Sequence, residues 1–423
     1  MTINEVKNKK ILILGFAREG KDVLRFLRKH FPNKVFGIAD QKESLPNLPR
    51  KKLKLHLGKD YLKAIQHYDV VVKSPGIPLR TVAPFLLKRH QLTSETDLFF
   101  SACQGAIVGI TGTKGKSTTA SLIYSILKKG GKKAKLVGNI GRPALQFLSK
   151  QTPEDIFVFE LSSFQLEDLR QSPHVAVFLN LYQEHLNHHG SFDAYTRAKA
   201  NITLHQTPTD FLVYNAKDKH ISRIAEKSRA QTIPYIQTRQ SLGSPRSRLV
   251  IASPQPAVLV GRLFSVPETT IQGAIKTFKP LSHRLENVGR FKGITFYNDS
   301  LATIPEATIE ALNVLGNNVA TLVAGGYDRN VSMAGLARRI EKSKIETLIL
   351  FPETGTKILH SVKKKPKNVF QVESMKEASR LCYKHTPKGK ICLLSPAASS
   401  FNLFKDYEDR GNQFKKFVKR YGA

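Results

Sequence analysis

The chain of 423 residues is poor in three things: cysteine, acidic side chains and long apolar runs. Its three cysteines, Cys103, Cys382 and Cys392, are odd in number. They fit a reducing compartment better than a disulfide framework or a Cys-based zinc site. No apolar stretch reaches the ~18 residues a membrane-crossing helix needs. The opening MTINEVKNKKILILGF is basic and then apolar, but it runs straight into a strand pattern without a small-residue cleavage site, so no signal peptide is expected. Acidic residues number 33 against 67 Lys and Arg, a net charge of +34. Such a charge attracts polyanions. The cations are dispersed, however, and no nucleic-acid-binding module is visible, so specific nucleic-acid binding is not expected.

What is present is a repeating α/β rhythm. ILILGFAREGKDVLRFLRKHF reads as strand, glycine turn and helix, KVFGIAD as a strand ending in an acid, and DVVVKSPGI as a strand stopping at a Ser-Pro-Gly turn. A second cycle opens at GAIVGITGTKGKSTTASLIYSILKKGG and continues through the strands DIFVFEL, HVAVFLNL and FLVYNA. A polar stretch from Gln237 to Arg248 and a capped amphipathic helix in VPETTIQGAIKTFK follow. A third cycle carries ITFYNDS, VATLVAGG, IETLILF and ICLLSP. The fold class is α/β, in three units with borders near 103 and 280. The sequence has no repeat of 20–50 residues.

The chemistry concentrates at strand ends. Gly112-Thr113-Lys114-Gly115-Lys116-Ser117-Thr118 follows a strand and opens a helix, a phosphate loop shorter than the usual eight-residue form. Backbone N–H groups and the helix dipole there favour anionic oxygens. In that reading Lys116 reaches the β- and γ-phosphates of a nucleotide and Ser117 holds Mg²⁺. Glu160 ends the next strand pattern, where a carboxylate can take Mg²⁺ or simply cap the following helix. Glu184, His185, His188 and His189 admit either a zinc site or a softer role beside a Mg²⁺–nucleotide. Lys199, taken alone, is a helix-surface lysine. Arg284 and Asp299 flank the third unit and suit an ATP clamped from a second domain. Gly15, Gly20 and Asp40 approximate a dinucleotide fingerprint without its middle glycine.

Taken in order, GITGTKGKST, VGNIG, ELSSFQLE, NLYQEHLNHH with YTRAKANI, HRLENV, FYNDSLAT, AGGYDR and LLSPAASSFNLFKDYEDRGNQF resemble the Mur ligases, and among them the glutamate-adding branch. ELSSFQLE and SPAASSF distinguish this pattern from the folate-type polyglutamate ligases, which share the phosphate loop. The resemblance spans roughly residues 10 to 418. It implies a Rossmann-like UDP-sugar domain over 1–102, a P-loop ATPase-like central domain over 103–280 and a Rossmann-like C-terminal domain over 281–423 that closes over ATP and glutamate.

It further implies a cytoplasmic, monomeric enzyme of peptidoglycan precursor synthesis, the pathway behind cell shape and division. Its partners would be ATP, Mg²⁺, UDP-N-acetylmuramoyl-L-alanine and glutamate, joined through an acyl phosphate. Lys116, His185 and Lys199 become catalytic residues, and Lys199 matches a lysine that the family carries as a carbamate. Ser117, Glu160, His185 and Lys199 form the metal set. Gly112 to Thr118, Arg284 and Asp299 contact ATP. Arg18, Glu19, Asp40, Ser74 and Gly76 match the uridine site, Asn139, Ser162, Ser163 and Gln165 the sugar-peptide, and Thr303, Arg329, Ser400 and Phe401 the glutamate pocket. Leu301 and Ile304 replace a lysine and an asparagine of the family pattern, Arg329 replaces a lysine, and Ser253 to Pro256 stand where an asparagine-bearing helix entry is usual. Those departures leave L-glutamate, another amino acid, or a catalytically idle nucleotide-sugar binder as alternatives.

Overall fold

The computed structural model describes residues 4–45, 48, 51–87, 92–139, 143–236, 239–242, 249–278, 282–328 and 331–423. Its contacts form two compact units, and the first reaches Phe278.

The first unit holds two parallel sheets. One comprises β1 (Ile11–Leu14), β2 (Phe36–Asp40), β3 (Leu53–Leu57), β4 (Val70–Lys73) and β5 (Leu92–Thr93), in the order β3-β2-β1-β4-β5. The other comprises β6 (Ala106–Thr111), β7 (Lys133–Gly138), β8 (Asp155–Glu160), β9 (Val175–Phe178), β10 (Phe211–Asn215) and β11 (Gln231–Tyr235), in the order β11-β10-β9-β6-β8-β7. β1, β4, β8 and β9 are buried along their whole length. That is why they read as unbroken apolar runs: helices cover both faces of a parallel sheet. A continuous core runs from Val6 through Phe99, Phe157 and Phe178 to Ala230. Phe99 meets Phe157 edge-on at 5.0 Å, joining the helix Glu95–Ala102 to β8.

The polar stretch around Gln237 contributes a small hairpin, β12 (Arg239–Leu242) with β13 (Leu249–Ala252). The helix after it spans Glu268–Lys276 and buries Ile271 and Ala274. The expected cap is absent: the N-cap position is Pro267, whose ring offers no oxygen to the N–H groups of the first turn.

The second unit carries β14 (Glu286–Phe291), β15 (Ile294–Asn298), β16 (Val319–Gly326), β17 (Thr347–Glu353), β18 (Asn368–Gln371) and β19 (Ile391–Leu394), ordered β14-β15-β19-β16-β17-β18. β14 alone is antiparallel. Two apolar clusters pack this sheet, one around Leu322 and Leu336 and one around Phe296 and Phe414.

Candidate active site at the strand ends of the first unit

In the second sheet β6 lies beside β9; the chain leaves β6 toward β7 on one side and leaves β9 toward β10 on the other. Such a switch point opens a crevice beyond the strand ends. The phosphate loop leaves β6 into that crevice. Gly112 takes φ +150°, and a Cβ there would stand 2.9 Å from the Cβ of Leu179. Gly115 takes φ +85° and starts the helix Lys116–Lys129. Both positions need glycine. Asn180, just past β9, pins the loop: its Oδ1 accepts the Lys114 N–H at 2.8 Å, its Nδ2 donates to the Lys114 carbonyl at 3.0 Å, and its own carbonyl accepts the Thr113 N–H at 2.9 Å. The Thr113 hydroxyl lies 2.9 Å from the Tyr195 hydroxyl and accepts the Tyr182 N–H. Ser117 and Thr118 are buried in the first helical turn. The loop is held in shape by protein alone.

Two lysines converge on it. Lys116 Nζ donates to the Gly112 and Thr113 carbonyls, each at 3.0 Å. Lys199 Nζ donates to the same Gly112 carbonyl at 3.0 Å and to the Thr111 hydroxyl at 3.2 Å. Lys199 is therefore no surface lysine. It is 2% exposed, on the face of the helix Phe192–Leu204 that buries Tyr195 and Ile202. Burial, and then the charge of Lys116, push its ammonium well below the ordinary lysine value. A neutral amine is the form such a site favours.

Glu160, at the end of β8, is 2% exposed, and its Oε2 has no hydrogen-bond partner. Among the described residues its Oε1 accepts one long bond, from Asn139 Nδ2 at 3.4 Å. Helix capping does not explain it, since Ser162 and Gln165 form a complete capping box on the next helix. An orphaned carboxylate oxygen at a buried strand end calls for a cation. His185 occupies left-handed backbone at φ 57°, and burial lowers its imidazole to about 4, against the pull of Glu184. Glu184 itself pairs with Lys114 at 2.8 Å. His188 and His189 turn instead toward Glu167, so the three histidines do not form one zinc site.

Lys116, Ser162, Ser163, His185 and Lys199 line a cavity of about 250 Å³. A larger one of about 680 Å³ opens at the ends of β1, β2 and β4, lined by Arg18, Asp40, Ser74 and Gly76. Glu19, Asn139 and Gln165 line both, so the two cavities adjoin. Gln165 Nε2 donates to Glu19 at 3.0 Å, yet burial still lifts the Glu19 carboxyl to about 7. The Asp40 carboxylate accepts the Phe16 N–H at 2.7 Å and the Lys42 N–H at 3.0 Å, which fixes the turn after β1. Ser74 does the same by donating to the Gly15 carbonyl at 2.8 Å.

Arg284, Asp299, Thr303, Ser400 and Phe401 belong to the second unit. Asp299 is buried there: it accepts the Leu285 N–H at 3.0 Å and the Ser395 hydroxyl at 2.8 Å, and burial raises it to about 7. It orders the turn that carries Arg284. Ser400 is 2% exposed and Phe401 64%. Arg329 lies outside the described residues. The sequence pattern assigned no role to Asn180 or Tyr195, and Glu184, a candidate ligand there, is taken up by Lys114. The asparagine directly after a buried strand, facing the loop of its neighbour, was the available signal.

Residues 110–253 match the Mur ligase middle domain, and residues 283–398 match the Mur ligase glutamate ligase domain. The UDP-N-acetylmuramoylalanine–D-glutamate ligase of Streptococcus uberis is 32% identical over 96% of both chains. That of Streptococcus mutans is 32% identical over 97% of both. This chain belongs to the Mur ligase family. Mur ligases are ATP-dependent enzymes that form amide bonds. The Mur ligase fold extends over the whole chain. The MurF ligase of Thermotoga maritima, crystallised with ADP, aligns with a TM-score of 0.57 at 15% identity, covering 99% of this chain and 98% of that one. The UDP-N-acetylmuramate–alanine ligase MurC of the same organism aligns at 0.55 and 16%, covering 98% and 99%. No helix among the described residues is long and apolar enough to cross a membrane.

Proposed function

We propose that the chain joins D-glutamate to UDP-N-acetylmuramoyl-L-alanine at the expense of ATP, through an acyl phosphate. The observation that carries this reading is the convergence of Lys116 and Lys199 on one carbonyl beside the orphaned Glu160 oxygen. A site that gathers cations and a lone carboxylate around a helix N-terminus is built for polyphosphate and metal together. The curated relatives, both D-glutamate ligases over nearly their full length, support the choice of substrates.

ATP would lie with its β- and γ-phosphates on Gly112 to Thr118, and the UDP-sugar in the 680 Å³ cavity. Where the cavities adjoin, at Asn139 and Gln165, the alanine carboxylate would reach the γ-phosphate. Its oxygen attacks phosphorus, ADP leaves, and the glutamate amine then displaces phosphate from the acyl carbon. Lys116 offsets the charge on the transferring group. Mg²⁺ fits the residues present: Glu160 offers an unpartnered oxygen, Ser117 a hydroxyl and His185 a neutral imidazole. When bound it neutralises phosphate charge. Burial disfavours the charged form of the Lys199 amine, which suits it to take up CO₂, losing a proton to become a carbamate anion that would complete the metal set. Residues 281–423, with Arg284 toward ATP on the turn that Asp299 orders and Thr303, Arg329, Ser400 and Phe401 toward glutamate, would close over residues 103–280, leaving 1–102 for uridine. A cytoplasmic monomer serving peptidoglycan synthesis is the matching setting.

The test is product mass after incubation with UDP-N-acetylmuramoyl-L-alanine, ATP, Mg²⁺ and each glutamate enantiomer. A gain of one glutamate residue with the D form alone is expected. A gain with L-glutamate alone would tie Leu301 and Ile304 to altered choice, and no gain with any amine defeats the ligase reading.

A further inference from the structure

A second cluster of metal-type ligands lies apart from the Glu160 group. Glu167, His188 and His189 bring one ligand atom each to within 4.8 Å of one another. His188 Nε2 stands 3.3 Å from Glu167 Oε2, and His189 Nδ1 stands 3.4 Å from Glu167 Oε1. Ligands on a tetrahedral ion at about 2.0–2.1 Å sit roughly 3.3 Å apart, so the two histidine–glutamate spacings already match, and the full set, within 4.8 Å, would draw together on binding. The histidine side chains are 7% and 1% exposed and the glutamate 14%.

Three observations give the cluster direction. His189 Nδ1 is buried without a hydrogen-bond partner. The other ring nitrogen of His189, Nε2, lies 3.0 Å from the Ser163 hydroxyl. That is the outer contact by which ligating imidazoles are oriented. The Glu167 carboxylate is also fixed, accepting the Leu79 N–H at 3.1 Å. When Nε2 donates to the Ser163 hydroxyl, His189 Nδ1 and Glu167 Oε1 present lone pairs to each other inside the protein. Something positive belongs between them, either a proton or a metal.

We propose that Glu167, His188 and His189 form a structural site for a borderline-soft divalent ion such as Zn²⁺, with a water as fourth ligand, separate from the Mg²⁺ set. Two imidazoles and one carboxylate suit that class and not Mg²⁺. The ion would tie the short helix Leu186–His189, which follows His185, to the end of the helix Ser163–Leu166 and, through Leu79, to the first sheet's loop. Phe164 packs its ring on His188 at 4.2 Å and on His185 at 4.8 Å, so an ion here would also steady the ring against His185. The proposal stands independently of which substrates the enzyme joins.

The test is titration of the whole purified chain with Co²⁺ in excess Mg²⁺, read by visible absorption, followed by displacement with Zn²⁺. One equivalent with the intense bands of four-coordinate Co²⁺ is expected in the wild type and in His185→Ala. Loss of the bands, and Zn²⁺ binding at least ~100-fold weaker, is expected in His188→Phe and Glu167→Gln. Circular dichroism verifies that each variant is folded. X-ray absorption of the Zn²⁺-loaded wild type, which needs no variant, should show two imidazoles per metal. Absence of the bands from the wild type, their survival in both variants, or their loss in His185→Ala alone would each overturn the proposal and leave a protonated His–Glu network.

Discussion

The phosphate-loop site and the site residues of the second unit are built on opposite principles. Around Gly112 the protein leaves charge unresolved: two lysines share one carbonyl, and a buried carboxylate oxygen has no partner. Around Asp299 each carboxylate oxygen has its donor, while Phe401 stands in solvent. Unpaired buried groups cost stability, and they persist where a ligand supplies the missing partner. On the proposed reading the first site is organised for an anion and a cation before either arrives. The second is organised to hold its own turn.

The largest effect expected from that difference is on chemistry. Lys116→Ala should lower kcat for ADP release about 1,000-fold, the scale of losing one aligned donor at a developing charge, with folding intact. Lys199→Met should also abolish turnover, yet leave thermal stability within about 1.5 kcal/mol, because a near-isosteric apolar chain replaces an amine whose charged form burial already disfavours. An unfolded Lys199→Met protein would show that the amine's bonds to Thr111 and Gly112 hold the loop, and would weaken the contrast.

In the second unit the expected effects concern stability. Burial raises Asp299 to about 7 from its ordinary 3.8, so the folded state binds this proton more tightly than the unfolded one. The stability it contributes is full below pH 4 and is lost as pH rises through 7. Asp299→Asn removes that dependence. Its melting temperature should gain on the wild type steadily from pH 4 to pH 8, and parallel curves would refute the assignment. The smallest effect is Phe401→Ala. An exposed ring should change stability by less than about 0.5 kcal/mol, while raising the KM for glutamate if the ring grips that substrate.

The same contrast governs what could be read from the sequence. The interior strands β1, β2, β4, β6, β8, β9, β10, β15, β16, β17 and β19 announce themselves as apolar runs. The missed ones, β3, β5, β7, β11, β14 and β18, all lie at sheet edges. An edge strand buries less, so LKLHL and KAKLVG carry exposed or half-exposed lysine and histidine, whereas the one lysine of interior β4, Lys73, is buried against Asp168. The site follows suit. Glycines, Lys116 and Ser117 are legible because a phosphate loop is local in sequence. Lys199 was legible only by family resemblance, since its burial depends on a helix packing back onto β6, where it meets Thr111 from 88 residues away. Asn180 and Tyr195 act by touching that loop across the sheet, which no local pattern displays.

The central claim is that ATP activates the sugar-borne carboxylate as an acyl phosphate. It is tested most directly by supplying UDP-N-acetylmuramoyl-L-alanine labelled with ¹⁸O in both carboxylate oxygens and analysing the released phosphate. One labelled oxygen should appear in inorganic phosphate for each amide formed. Unlabelled phosphate alongside amide product would contradict the account.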